Sequence, residues 1–156
     1  MTFLEHSRTF PATVEDAYGR VLTVPLEHVF GHRHLAIPAV VSAEPDDALE
    51  AWGERVGQRR TLQFSDGGRA VETLTSLDPP RGFGYRLAEL HGPMKLLIGR
   101  VDGAWRFEPA GTGVRITWSW DVAPTAPGRL AMLGFGPVWQ GAARKAFDEI
   151  ERLLVG

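Results

Sequence analysis

In Val114-Arg115-Ile116-Thr117-Trp118-Ser119-Trp120-Asp121-Val122 every second residue is apolar. Val, Ile, Trp, Trp and Val alternate with Arg, Thr, Ser and Asp, the period-two pattern of a half-buried antiparallel strand. Two indoles therefore stand in a row on one face. A sheet buries a row of bulky rings only if a second layer covers that face. The one long helical pattern able to do so follows at the C-terminus. Val138, Trp139, Ala142, Ala146, Phe147, Ile150, Leu153 and Leu154 form an apolar stripe, and Arg144, Lys145, Asp148, Glu149, Glu151 and Arg152 lie opposite. From Pro137 to Val155 this helix spans ~28 Å, about the width of a small domain. The expected architecture is a curved sheet wrapped around one long terminal helix.

The strand pattern recurs upstream. Gln58–Ser65 and Arg69–Leu77 flank Asp66-Gly67-Gly68, a turn that supplies the positive φ a hairpin needs. Phe83–Leu90, Leu97–Glu108 and Gly113–Val122 complete a meander, and Ile37–Ala43 reads as the strand that opens it. Thr2–Phe10 is a further strand at the start of the chain. Thr13, followed by Glu15 and Asp16, is an N-cap with an acidic first turn. Val14, Ala17, Tyr18, Val21 and Leu22 then give one apolar helical face. Pro25–Phe30 suits a second helical turn. Residues 48–56, around Trp52, fit no pattern. Pro124–Gly136 reads as a connector with one helical turn at Leu130–Leu133.

The chain has 156 residues, 44% hydrophobic and 23% charged, with a net charge of -2. It is expected to form one domain, residues 1–156, with a sizeable core. That charge gives no case for nucleic acid. Fifteen arginines against two lysines, Lys95 and Lys145, reflect coding bias rather than a phosphate site. The absence of cysteine excludes disulfides, thiolate catalysis and Cys-ligated metals. Met1–Phe10 contains Glu5, His6 and Arg8 and lacks the apolar run of a signal peptide. No run approaches 18 apolar residues. The expectation is a cytoplasmic protein without membrane insertion, whose oligomeric state is open.

The order of strand, two short helices, six-strand meander and long helix is that of the helix-grip fold, an α+β class with a sheet of about seven strands. Val56-Gly57-Gln58-Arg59-Arg60, Asp66-Gly67-Gly68, Glu72, Leu74, Leu77-Asp78 and Tyr85 resemble the START-like superfamily. That superfamily includes the birch-pollen-allergen proteins, lipid-transfer START domains and polyketide cyclase/dehydrase-like proteins. Thr112, Trp118 and Pro124 resemble its final strand and exit. The resemblance implies a ligand cavity under the long helix. It does not fix one chemistry, since the fold hosts binders, carriers and enzymes.

The alternation sets the candidate wall. Trp105 shares a face with Val101 and Phe107, and Tyr85 and Leu87 share one with Phe83. With Trp118, Trp120, Phe135 and Trp139 these rings either fill a core or line an aromatic pocket; close packing of so many rigid indoles is hard to complete. Trp105, Trp118 and Trp120 are all expected to face the helix. The resemblance turns Glu72 and Leu74 inward. A carboxylate there serves as a general acid or base, or as the structural partner of Arg60 on the neighbouring strand. Tyr85 is placed to donate a hydrogen bond to a ligand carbonyl, or is a core tyrosine. His32 and His34, two apart around Arg33, belong to a loop at the cavity mouth; no cluster accompanies them that would make a metal site. Neither a phosphate loop nor a Gly-x-Ser-x-Gly elbow is present, and no cofactor is expected.

The leading reading is a protein that binds a hydrophobic or aromatic small molecule in an internal cavity. The pocket is expected to be on the order of a few hundred Å3, bounded by Tyr85, Trp118, Trp139 and Gly31–His34. A polyketide cyclase/dehydrase-like enzyme using Glu72 and Tyr85, and a protein-interaction module, are the alternatives.

Overall fold

The structure, a computed structural model, describes residues 1–156. Strand β1 (Thr2–Phe10) leads through α1 (Val14–Thr23) and α2 (Leu26–Val29) into β2 (Val40–Pro45), β3 (Arg59–Phe64), β4 (Arg69–Asp78), β5 (Gly82–His91), β6 (Ile98–Ala110) and β7 (Gly113–Pro124). A short helix, α3 (Gly128–Ala131), precedes the long α4 (Phe135–Val155). The seven strands form one antiparallel sheet in the order β1-β7-β6-β5-β4-β3-β2. This is the expected helix-grip arrangement. No helix is long and apolar enough to cross a membrane.

Local chemistry explains the ends of these elements. Thr13 Oγ1 accepts the Asp16 N–H at 3.0 Å and starts α1. The apolar face of α1 buries Ala17, Tyr18, Val21 and Leu22. Helix α4 begins at Phe135, two residues before Pro137, because a proline within the first turn removes only an N–H that has no partner in the helix. Its buried face carries Trp139, Ala143, Ala146, Phe147 and Ile150. At the other end of the sheet, β2 starts at Val40 rather than Ile37. Ile37 is already engaged in a bridge with His34, both N–H···O distances being 2.9 Å, and Pro38 has no N–H to give. The strand runs on to Pro45, which an edge strand tolerates.

The inner face of the sheet and α4 enclose the core. In β7 the side chains of Val114, Ile116, Trp118, Trp120 and Val122 are all buried. Trp105 lies opposite Trp118 in the register of β6 and β7, and their rings stack at 5.5 Å. Trp118 in turn stacks on Trp139 of α4 at 4.7 Å, and Trp105 on Phe147 at 6.0 Å. The three tryptophans of the sheet thus face the helix.

Candidate functional site

The rings do not fill the interior. A cavity of about 100 Å3 remains between α1, α2, the loop after α2, the middle of the sheet and α4. It is smaller than the few hundred Å3 expected, because Trp118 and Trp139 stack closely and the Phe30 ring, at the end of α2, lies 5.1 Å from Trp118. Trp105, Trp118, Trp120, Trp139 and Leu87 line it, as do Arg60, Glu72 and Tyr85. His32 stands at its rim with Lys145.

Three expected wall residues lie elsewhere. Leu74 is packed into the core, 1% exposed. Its direct cross-strand partner Tyr85 takes the wall position with the larger side chain. Phe135 opens α4 one turn before Trp139 and packs on the core beyond the cavity. His34 turns away from the mouth and lies against Gly141 of α4, where any Cβ would overlap its imidazole. Burial there, with Lys145 and Arg144 nearby, holds its imidazole below the ordinary value. The two histidines therefore do not act together: His32 Nε2 meets Glu149 Oε1 at 3.1 Å.

Tyr85 occupies the centre of the polar wall. It sits opposite Gly103 in the β5–β6 register, and Gly103 sits opposite Trp120 in β6–β7. With no side chain on Gly103, the phenol lies across β6 and its hydroxyl reaches β7. There Oη accepts Trp118 Nε1–H at 2.8 Å and Trp120 Nε1–H at 2.9 Å. Both lone pairs of the oxygen are used. Desolvation by burial pushes the hydroxyl well above its ordinary value, with Glu72 adding to the rise and the two indole donors opposing it. The group stays a phenol and can only donate.

Glu72 lies opposite Arg60 in the β3–β4 register, and Oε1 accepts from Arg60 Nε. The pair is buried, the side chains being 10% and 6% exposed. The Arg60 guanidinium also lies over the Trp52 ring, 4.0 Å from its centroid. Trp52 belongs to the segment that showed no pattern. That segment is gathered by Gln58, whose Oε1 accepts the N–H groups of Gly53, Glu54 and Arg55 at 2.9, 2.8 and 3.2 Å. Its Nε2 donates to Ala51 O at 2.8 Å.

Sequence reasoning missed Gly103, Trp52 and Lys145 at the site. The signal for Gly103 was present: Val101, Gly103, Trp105 and Phe107 share the inward face, and an inward glycine in a strand marks close approach of another group. Nothing comparable pointed to Trp52 or Lys145.

Residues 1–155 match the family described as polyketide cyclase / dehydrase and lipid transport. The chain belongs to that family. Its fold is similar to that of the major latex-like protein 151 of Panax ginseng, at 13% identity and a TM-score of 0.71, covering 99% of this chain and 98% of that one. The protein XoxI of Bacillus cereus gives 12% identity and a TM-score of 0.72 over 99% and 96% of the two chains. Ms6760 of Mycobacterium smegmatis gives 22% identity and a TM-score of 0.66 over 99% and 91%. No curated protein matches the chain. At these identities the likenesses establish the fold of this polyketide cyclase/dehydrase and lipid-transport family member and leave its ligand to the site.

Proposed function

We propose that the protein binds a hydrophobic or aromatic small molecule in the cavity under α4 and acts as a carrier or binding protein. The observation that carries this reading is the cavity itself: 20 of the 25 residues around it are hydrophobic. An apolar void is a loss of dispersion contacts for its lining, and a ligand that fills it restores them. A dry engineered cavity of about 150 Å3 holds a benzene molecule, so the natural guest here is on the scale of one aromatic ring. A family description that includes lipid transport supports the same reading.

Titration with toluene, followed by the melting temperature, tests it. Toluene should raise Tm in proportion to the logarithm of its concentration above Kd. Ala142→Phe, which fills the cavity from α4, should abolish the rise. An unchanged Tm in the wild type, or the same rise in Ala142→Phe, would refute binding at this place.

The second reading is a cyclase/dehydrase-like enzyme, favoured by the presence of Glu72 and Tyr85 on one wall. Tyr85 would orient a substrate carbonyl through its O–H. Glu72 would move a proton, which requires it to loosen its bond to Arg60. Under this reading Glu72→Gln abolishes turnover of a polyketone substrate while a cavity ligand still binds. Under the carrier reading Glu72 and Arg60 are a structural pair.

A further inference from the structure

We propose that the protein docks on anionic membrane surfaces through one end of the sheet, where the turn after β5 meets the segment between β7 and α4. This goes beyond cavity binding and does not depend on it. The two segments are locked together. Thr125 Oγ1–H donates to Leu96 O at 2.7 Å, and Thr125 N–H to Leu97 O at 3.0 Å. Gly128 packs so closely on Leu97 O that a Cβ would overlap it. The helical turn Pro93–Leu96 thus forms one tip with α3 and the turn Met132–Gly134 that follows it.

The tip is apolar on its outside. Leu96, Leu97, Leu130 and Leu133 are between 38 and 82% exposed. Leu130 and Leu133, three apart in helical backbone, share a side. Neighbouring leucines held in water mark a surface that meets a partner. Charge selects the partner. Lys95 and Arg129 stand exposed among these leucines, and neither enters an ion pair. Although the chain carries 19 acidic residues, Gly92–Arg100 and Ala123–Gln140 contain none. Asp66, in the hairpin turn that packs against Gly92, accepts the Gly68 N–H at 2.8 Å. The partner is therefore apolar and anionic at once. A second copy of the chain fits badly, since a two-fold contact would gather four of these cations with no carboxylate from either segment between them. A protein groove has to match the spacing of the leucines, whereas a bilayer yields around protruding side chains of any spacing. Its acyl boundary takes the leucines and its headgroup phosphates take the cations.

Flotation with vesicles tests the proposal. The protein should float with vesicles of phosphatidylcholine and phosphatidylglycerol in equal parts, not with phosphatidylcholine alone, and should be released as salt rises. Lys95→Gln combined with Arg129→Gln should weaken binding about 25-fold, roughly five-fold for each cation near an anionic surface. Leu130→Ser combined with Leu133→Ser should weaken it about ten-fold or more. All four positions are exposed, so Tm should not change. The chain lacks cysteine, and a single introduced one takes an environment-sensitive dye at a chosen point. Ala131→Cys marks the tip, and Thr112→Cys marks the turn at the opposite end of β6. On anionic vesicles the dye at 131 should brighten and shift blue, and the dye at 112 should stay as in water. No flotation with anionic vesicles, equal flotation with both lipids, or a dye response at 112 instead of 131 overturns the proposal and leaves the cavity reading untouched. A dimer in solution that Leu130→Ser with Leu133→Ser dissolves would give this face to a second copy and overturn it as well. Failure of toluene to raise Tm overturns the cavity reading alone.

Discussion

A methyl group at Gly103 would overlap the Tyr85 ring, so Gly103→Ala must displace the phenol from its place across β6. The expected cost is about 1–3 kcal/mol of stability, typical of an overpacked site, with loss of both Trp118 and Trp120 contacts to Oη. Denaturant unfolding measures the first, and movement of two indole N–H resonances shows the second. The tyrosines themselves are informative because the chain has only two. Both hydroxyls are held above the ordinary value, Tyr85 by burial first and Tyr18 by burial with Asp78 beside it. A phenol whose folded value is raised stabilises the fold fully below its unfolded value of about 10 and loses that contribution as pH rises through the folded one. Absorbance at about pH 10.5 should therefore show less tyrosinate in the folded protein than in the unfolded chain, and the Tyr85 share of the signal should appear together with alkaline unfolding. A normal titration of two tyrosines would contradict the burial of both. Glu72→Gln should cost about 3 kcal/mol or more, since it leaves the buried Arg60 charge unpaired; thermal melting checks it. The Arg60–Glu72 pairing was legible in the sequence as one of two readings of Glu72, because neighbouring strands of a hairpin bring such residues together. The hydroxyl's bonds to two indoles were not, because they depend on a ring crossing an intervening strand.

Among the elements, β7 and α4 were the most legible, since each carries a single clean period: two in Val114–Val122, and three to four along the helix. The edges were less so. The start of β2 is set by a bridge between His34 and Ile37 and by the missing N–H of Pro38, events between loop residues that periodicity does not encode. The segment around Trp52 has no periodicity at all, and one side chain gives it shape. Gln58 is 5% exposed and acts for this segment as a turn of backbone would, receiving three N–H groups on one oxygen. Gln58→Leu keeps the volume and removes the bonds. It should cost about 1–3 kcal/mol for the donors left behind, and it should open residues 51–55 to proteolysis well below the melting temperature. Limited digestion read by mass spectrometry tests this. An intact segment in the variant would mean that Trp52, through its contact with Arg60, holds the loop by itself.

At the scale of the molecule, seven strands gripping one helix followed from the order of patterned segments, and no alternative layer could cover the rings of Trp118 and Trp120. The volume left beneath the helix did not follow. It is decided by how closely Trp118, Trp139 and Phe30 nest, a matter of ring packing between separate elements that composition does not carry. A cavity of about 100 Å3 sets a size limit: toluene should bind, and anthracene should bind more weakly despite its larger apolar area, because it must first push Phe30 and the loop after α2 outward. Calorimetry on the two ligands reads this order directly. The central claim, that this space exists to hold an aromatic guest, is tested most directly by a crystal structure of the protein saturated with toluene. The account predicts one ring beneath α4, against Trp118, Trp139 and Leu87. An unoccupied interior at saturating ligand, or a ring bound only on the outer surface, would contradict it.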